Sequence, residues 1–594
     1  MGFAYNPIRF DDLTAVNAVA SVSDLKTSID EIADTLVEGL PKGLVLLDGF
    51  PTSNISRLIE HIRIAYPEIG TIEVSRFLRP SEEIRKLLKT YLPQDREADP
   101  ELIFGKLYDQ DFQPFFDKKK VNSFFNDFTD SQTTILYGFG SASTLFRSFS
   151  KAILYVDVIP KDVGLRVFDG LYKCLGYSNE FDQNTLLRHT YFIDNELAVA
   201  LRKELIQKDL IDHYLLDSEL SFSMLSRNSM HAVMSGLKKR PLRAKPIYVE
   251  GVWGGQFLKR YRRVPNDLVD KVAWSFELIH TEASILVDAG GHLIDIPFLA
   301  VMDGIGQSIV GDKLFAQFGG CLPIRFNYDD TWHSNGNMSI QCHPTDDMAQ
   351  NFYGDFAAQN EAYYVVLTGH GAITYCGFKA DGREFLELCR QSEKEDSMVP
   401  YQDYIHAIPS DVGRQIFLPA GTVHGSGRNQ VVLELGTLTT SAYTYKIYDY
   451  TRLDINGKPR PLHTKLAEQA LHFERDADWV MENIAFSPRL LEVGQGWQEF
   501  LVGQYESMYL ETHRIEMETG GTYLGDTGEG FCVLTIVDGE AARIQSTDDP
   551  NSYYDANYLD VILVPASMPR YEVIAKGKQP VVLHKAFVRE DKYQ

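Results

Sequence analysis

The chain has 594 residues, 44% of them hydrophobic and 24% charged, as in globular proteins with room for several cores. A net charge of −24 and a pI near 5.1 exclude a nucleic-acid binder held by a general basic surface. The six cysteines (Cys174, Cys321, Cys342, Cys376, Cys389 and Cys532) form no C-x-x-C pair, which excludes a zinc ribbon, a thioredoxin-like motif and a disulfide scaffold.

A reducing, cytoplasmic setting fits this cysteine usage. The start, MGFAYNPIRFDDL, lacks the basic region and apolar run of a signal peptide, and no apolar stretch reaches bilayer length. No nucleic-acid or membrane partner is expected, and the composition leaves a homo-oligomer open.

Residues 1–240 read as an α/β domain. KGLVLLDGFPTSNISRLIEHIR is a strand, a Gly-containing loop and a helix, and TTILYGFGSAS and KAILYVDVIP add buried strands. Such runs interleaved with helices predict a largely parallel sheet. The strand–loop–helix unit has the layout of a P-loop, but GFPTSNIS has no Lys to reach a phosphate. Asp157, in ILYVDV, falls where a magnesium-contacting Asp belongs in such a layout. Two readings stay open: a degenerate P-loop-kinase-like domain, and an α/β domain that binds no nucleotide. GLKKRPLRAKPIYVEG, residues 236–251, is rich in Lys and Arg. It reads as a solvated connection in preference to a basic patch for phosphate.

Residues 241–475 turn strand-rich, with GHGAITYCGF, RQIFLPAGTVHG and QVVLELGTLTT, and close on a helix at LHTKLAEQALHF. Residues 476–594 again carry short strands, among them GFCVLTIVDGEAARIQ, LDVILVPAS and PVVLHKAFV. Short strands at regular spacing predict barrels or sandwiches. The expected fold class is therefore α+β multidomain, an α/β domain followed by two β-barrels.

SIQCHPTDDMA, residues 339–349, alternates apolar and polar residues like a strand, which puts Gln341 and His343 on one face. In IFLPAGTVHGSGRN, residues 416–429, a strand enters a Pro-x-Gly turn that throws His424 inward. This P-x-G-x-x-H turn resembles the second motif of cupin barrels, jelly-rolls whose first motif supplies H-x-H and then a Glu. Here the first motif reads Q-x-H, and Glu361 opens the apolar run of QNEAYYVVLTGHG. The candidate metal ligands are Gln341, His343, Glu361 and His424. Two imidazoles, an amide oxygen and a single carboxylate suit one divalent ion, zinc first, and leave it a strong Lewis acid.

The same stretches resemble the signatures of type I mannose-6-phosphate isomerases. SIQCHPTDDMA is similar to L-S-I-Q-V-H-P-D-D, and FLPAGTVHGSG to I-P-A-G-T-V-H-A. NEAYYVVLTGHG resembles the family's K-T-E-x-W-Y-V-L, YTYKIYDYTRLDINGKPRPLH its T-Y-R-V-Y-D-Y-D-R segment, and GVWGGQFL its W-G-G start. The resemblance implies a zinc site at the four ligands and a small-molecule sugar or sugar-phosphate ligand. It implies interconversion of mannose 6-phosphate and fructose 6-phosphate through an enediol, which needs an electrophile and a proton-moving base. It points to Glu434, in VVLELG, as that base or as the partner of a cation, and to Lys446, in place of an Arg, as a second catalytic residue. It puts Ser339 at the sugar or phosphate end.

There are departures. Arg325, in LPIRFNYDD, stands for a Lys, and Gln359 stands where a Lys is common, so substrate binding by Arg325 and Gln359 differs from the family's pattern. DDTWHSNGN adds material before SIQC. The second barrel's turn, VPASMPR, has Ser567 for the Gly and Arg570 for the His, so that barrel is expected to be metal-free, with His513 and His584 as core or surface residues. Two rival readings remain. One is a non-catalytic sugar sensor or scaffold, favoured by Gln359 and Lys446. The other is an iron-dependent cupin dioxygenase.

Overall fold

A computed structural model describes residues 6–20, 22–177, 181–441, 443–454 and 457–593. Of the YTYKIYDYTRLDINGKPRPLH motif, Ile455 and Asn456 lie outside the described residues, as do residues 1–5 of the N-terminal stretch.

The N-terminal sheet is parallel in its first five strands. Gly43–Gly49, buried at every position, runs between Thr133–Tyr137 and Ser150–Asp157. Gly70–Glu73 and His213–Asp217 extend it on either side, and antiparallel Phe222–Ser226 closes one edge. The unbroken run of Leu and Val in the central strand is what a sheet covered on both faces requires. The helix Ile55–Ala65 buries Ile55, Leu58, Ile59 and Ile62, a helical stripe that packs with Val45, Leu47 and Val156 of the sheet.

The loop between that strand and helix is bound internally. Asn54 donates its backbone N–H to Asp217 at 2.7 Å, and Arg166 pairs with Asp217 at 2.8 Å while donating to Thr52 O at 3.2 Å. Asp157 is fully buried, accepts from Arg202 at 3.2 and 3.3 Å, and takes the Tyr214 hydroxyl. Its carboxylate is thus engaged by an arginine and a tyrosine.

The middle region holds two large antiparallel sheets. One has seven strands, with Trp274–Leu278, Ile324–Asp330, Gln430–Thr437 and Glu361–Thr368 at its centre. The other has five, including Ile373–Phe378, His424–Ser426, Ile340–Cys342 and Tyr445–Tyr448. Asn6–Pro7 and Val16–Ala18 hydrogen-bond to Ile247–Glu250 and Ser284–Asp288, so the start of the chain is woven into the middle region's sheets.

The basic segment is solvated only in its first part, where Lys239 is exposed. Arg243 and Lys245 are buried, Arg243 against Asp560 at 2.9 Å and Lys245 between Asp11, at 2.7 Å, and Asp295. These two cations lock three regions together instead of facing water or a phosphate. In the C-terminal region a six-stranded and a four-stranded antiparallel sheet enclose their own core, which includes Ile515, Leu534, Ile544, Ile562 and Val573. His584 is buried at its seam with the middle region, 3.0 Å from Gln415. His513 lies between Glu499 and Glu511, and Arg570 pairs with Asp548 at the surface. All six cysteines are free thiols. Among the described residues, no helix is long and apolar enough to cross a membrane.

Candidate metal centre

The chain brings three ligand-type side chains together by three local devices. Glu361 opens its strand in the seven-stranded sheet, His343 directly follows Ile340–Cys342, and His424 opens His424–Ser426. Gln341 is paired across the ladder with His424. The Pro419–Thr422 turn is closed by Thr422 N–H on Pro419 O at 3.1 Å, and Gly421 N–H donates to His343 O at 3.0 Å. Gly421 has φ +78°, and a Cβ there would collide with Ala470 O, so only glycine fits.

Each histidine turns Nδ1 to a backbone carbonyl, His343 to Tyr443 O at 3.1 Å and His424 to Thr422 O at 2.9 Å. That fixes the proton on Nδ1 and leaves the Nε2 lone pairs free. His343 Nε2 is 3.0 Å from Glu361 Oε1, and His424 Nε2 is 3.4 Å from Glu361 Oε2. Both Nε2 atoms and Glu361 Oε2 are buried without a hydrogen-bond partner. Three orphaned acceptors at one point are costly unless a cation meets them. Burial lowers the His343 pKa, favouring the neutral imidazole that ligates metal. The triad can therefore hold a metal ion. Gln341 accepts the Ser339 hydroxyl at 3.0 Å. Gln359 bridges Arg325, whose Nη1 donates to it at 3.3 Å, and Glu361.

A pocket opens over this cluster. Arg325, Ser339, Gln341, Gln359, Glu434 and Lys446, all singled out in the sequence, line it. Four further lining residues, Trp253, Trp274, Arg460 and Glu101, were not, nor was Asp329 behind Glu434. Asp329 lies beside Glu434 from the neighbouring strand, carboxyl near carboxyl. Burial and the nearby Glu361 charge push both carboxyls up, Arg325 opposing. Trp253 and Trp274 meet edge-to-face at 4.5 Å and form an apolar wall. The W-G-G motif accounts for this wall: Gly255 faces the Asp330 carboxylate, which accepts Leu258 N–H at 2.7 Å and leaves no room for a Cβ. Arg460, held by Asp449 at 2.9 Å, adds a cation and belonged to a stretch already marked by resemblance. Glu101 reaches the pocket from the N-terminal region, where no local pattern marked it.

Residues 28–239 match a family model described as "Domain of unknown function (DUF8485)". Mannose-6-phosphate isomerase ManA of Bacillus subtilis is 27% identical over 230 residues, 38% of this chain and 66% of that protein. The mannose-6-phosphate isomerase of Streptococcus mutans is 28% identical over 253 residues, 40% of this chain and 70% of that protein. YvyI of B. subtilis matches over 345 residues at 24% identity, 57% of this chain and 96% of its own. The chain is thus a distant homologue of type I mannose-6-phosphate isomerases over part of its length, joined to a region of a different family. Among solved structures, the B. subtilis mannose 6-phosphate isomerase aligns with a TM-score of 0.45 at 20% identity, covering 59% of this chain and 100% of that one.

Proposed function

We propose that the chain is a zinc-dependent aldose–ketose isomerase that interconverts mannose 6-phosphate and fructose 6-phosphate. The observation that carries this reading is the convergence of two unpartnered imidazole nitrogens and a carboxylate oxygen beneath a pocket lined by the buried Glu434 carboxyl. The distant isomerase relatives supply the substrate class.

In this reading His343, Glu361 and His424 hold the ion, with Gln341 beside them as a fourth donor. A bound divalent ion supplies Lewis acidity at the sugar's carbonyl and neighbouring hydroxyl oxygens. Ser339 and Gln341 orient those oxygens. Glu434, in its ionised form, would take the proton from carbon 2 of the open-chain aldose and return it to carbon 1 of the enediol, while the carbon 2 hydroxyl proton passes in net terms to the carbon 1 oxygen; Asp329 would stand beside Glu434 and tune its basicity. Gln359 passes the Arg325 charge toward Glu361 and fixes that carboxylate's rotamer. The tryptophan wall excludes water from one side, while Lys446 and Arg460 bind the charged end.

The division of labour is a metal-binding cupin-type barrel at 241–475 and a second, structural barrel at 476–594. Residues 1–240 form an α/β domain for which the reading without nucleotide binding is preferred to the degenerate kinase-like one, supported by the Asn54–Asp217 and Asp157–Arg202 contacts. The test is a coupled assay for fructose 6-phosphate formed from mannose 6-phosphate, on zinc-reconstituted protein with a chelated control. Turnover restored by zinc is expected. Zinc binding without turnover of this sugar would overturn the substrate, and absence of bound zinc would overturn the site.

A further inference from the structure

The N-terminal region reaches the pocket through one segment. Asp99 shapes it into a tight turn, its carboxylate accepting the N–H groups of Ile103 at 3.0 Å and Phe104 at 2.7 Å, with Leu102 at φ +56°. Phe104 plugs the turn into an aromatic cluster, 5.6 Å from Tyr445, 5.7 Å from Tyr353 and 5.2 Å from His463, ring to ring. Leu107 N–H bonds Tyr353 O at 2.8 Å on one side, and Glu97 pairs with Lys465 at 3.0 Å on the other. The turn is anchored at both ends, and Glu101 at its apex projects into the pocket, with its Oε2 3.9 Å from Lys446 Nζ.

This places an anion among the cations that a phosphate would need. Lys446 is largely enclosed, whereas Glu101 keeps more than a third of its side-chain surface exposed. Arg460 is already shared with Asp449. A phosphate dianion entering this end must displace Glu101 from Lys446 or sit beside a like charge in a partly desolvated mouth, where charge–charge terms are stronger than in water. An uncharged sugar terminus meets neither cost, and its hydroxyl has the carboxylate as an acceptor.

We propose that Glu101 is a specificity-determining residue by which the N-terminal domain lowers the pocket's preference for phosphorylated over unphosphorylated sugars. This rests on the isomerase reading for the orientation of the sugar, metal end inward. The experiment is calorimetric binding of mannose 6-phosphate and of mannose to the zinc-loaded full chain, wild type, Glu101→Gln and Glu101→Asp, with thermal melts as a fold control.

Glu101→Gln should shift the ratio of the two Kd values at least about tenfold toward the phosphorylated sugar, the size expected for removing one like charge at short range. Glu101→Asp, which keeps the charge, should stay near the wild-type ratio. A ratio within about twofold of wild type in Glu101→Gln overturns the proposal, since a removed charge must register if it faces the ligand. Failure of both sugars to bind any of the proteins overturns it too. Turnover is read separately. A shifted ratio without turnover leaves the Glu101 assignment standing and removes the isomerase reading. Turnover with an unshifted ratio does the reverse.

Discussion

Glu361 Oε1 and His343 Nε2 stand 3.0 Å apart, buried, with the imidazole proton directed away to Tyr443 O. A neutral imidazole and a carboxylate so placed are two acceptors facing each other. The arrangement is stable only with a cation between them or a proton shared by them.

The cation is the expected partner, and His424→Ala tests it. The variant should lose at least about a hundredfold in zinc affinity, more than the loss from disturbing an outer-shell contact. Wild-type protein at a free zinc concentration of about 100 Kd should gain about 2.7 kcal/mol of stability over its chelated form. The variant should gain no more than about 0.4 kcal/mol at that zinc concentration. Metal content and melting temperature read both outcomes, and equal stabilisation of the two proteins would refute the ligand set.

Glu434→Gln removes the proposed proton carrier but keeps shape and hydrogen bonding. The expected loss in kcat is about 10²–10⁴-fold, the usual contribution of a positioned acid–base group. Zinc content and sugar Kd should change little. A variant that retains kcat would move the base to another residue.

Arg243 stands between Asp560 and the core, with both partners out of solvent. Arg243→Ala leaves Asp560 with Arg262, at 2.9 Å, and the Asn557 N–H, also at 2.9 Å. Breaking a buried pair from one side costs about 3–5 kcal/mol, and the remaining arginine puts this case at the lower end. Chemical denaturation should show a loss of about that size, whereas a solvated connection would lose less than about 1 kcal/mol.

His584 sets a pH dependence. Burial, reinforced by His513, lowers its pKa from 6.5 to about 3, and its Nε2 lies 3.0 Å from Gln415 Oε1. Between pH 3 and 6.5 the unfolded chain binds a proton at this position that the native chain refuses. Stability is then complete above pH 6.5 and falls as the pH drops through that window. At pH 5 the loss from this residue is about 2 kcal/mol. His584→Gln should flatten the stability profile between pH 7 and pH 5 by about that amount, as read by denaturant midpoints at each pH.

Much of the candidate centre was legible because its determinants are local. A two-residue spacing on a strand, a Pro-x-Gly turn and a Glu at a strand start each state which way a side chain points. The parallel N-terminal sheet was legible for the same reason, through continuous apolar runs such as Leu44–Leu47. Missed features depend on partners remote in sequence. Charge patterning alone cannot separate a solvated lysine from a buried one, and Lys245 differs only because Asp11 and Asp295 come to it. The Asp329–Glu434 pair exists only through the register of two strands about a hundred residues apart in the chain.

The sequence by itself determined the ligand types, their order and the strands and turn that aim them, since each follows from backbone geometry within a few residues. Only the tertiary structure decided what surrounds them: which carboxyls lie side by side, which arginines are buried, and that a turn of the N-terminal region sets Glu101 beside Lys446. Those outcomes depend on which faces pack together, and that is settled by burial and charge pairing over the whole chain.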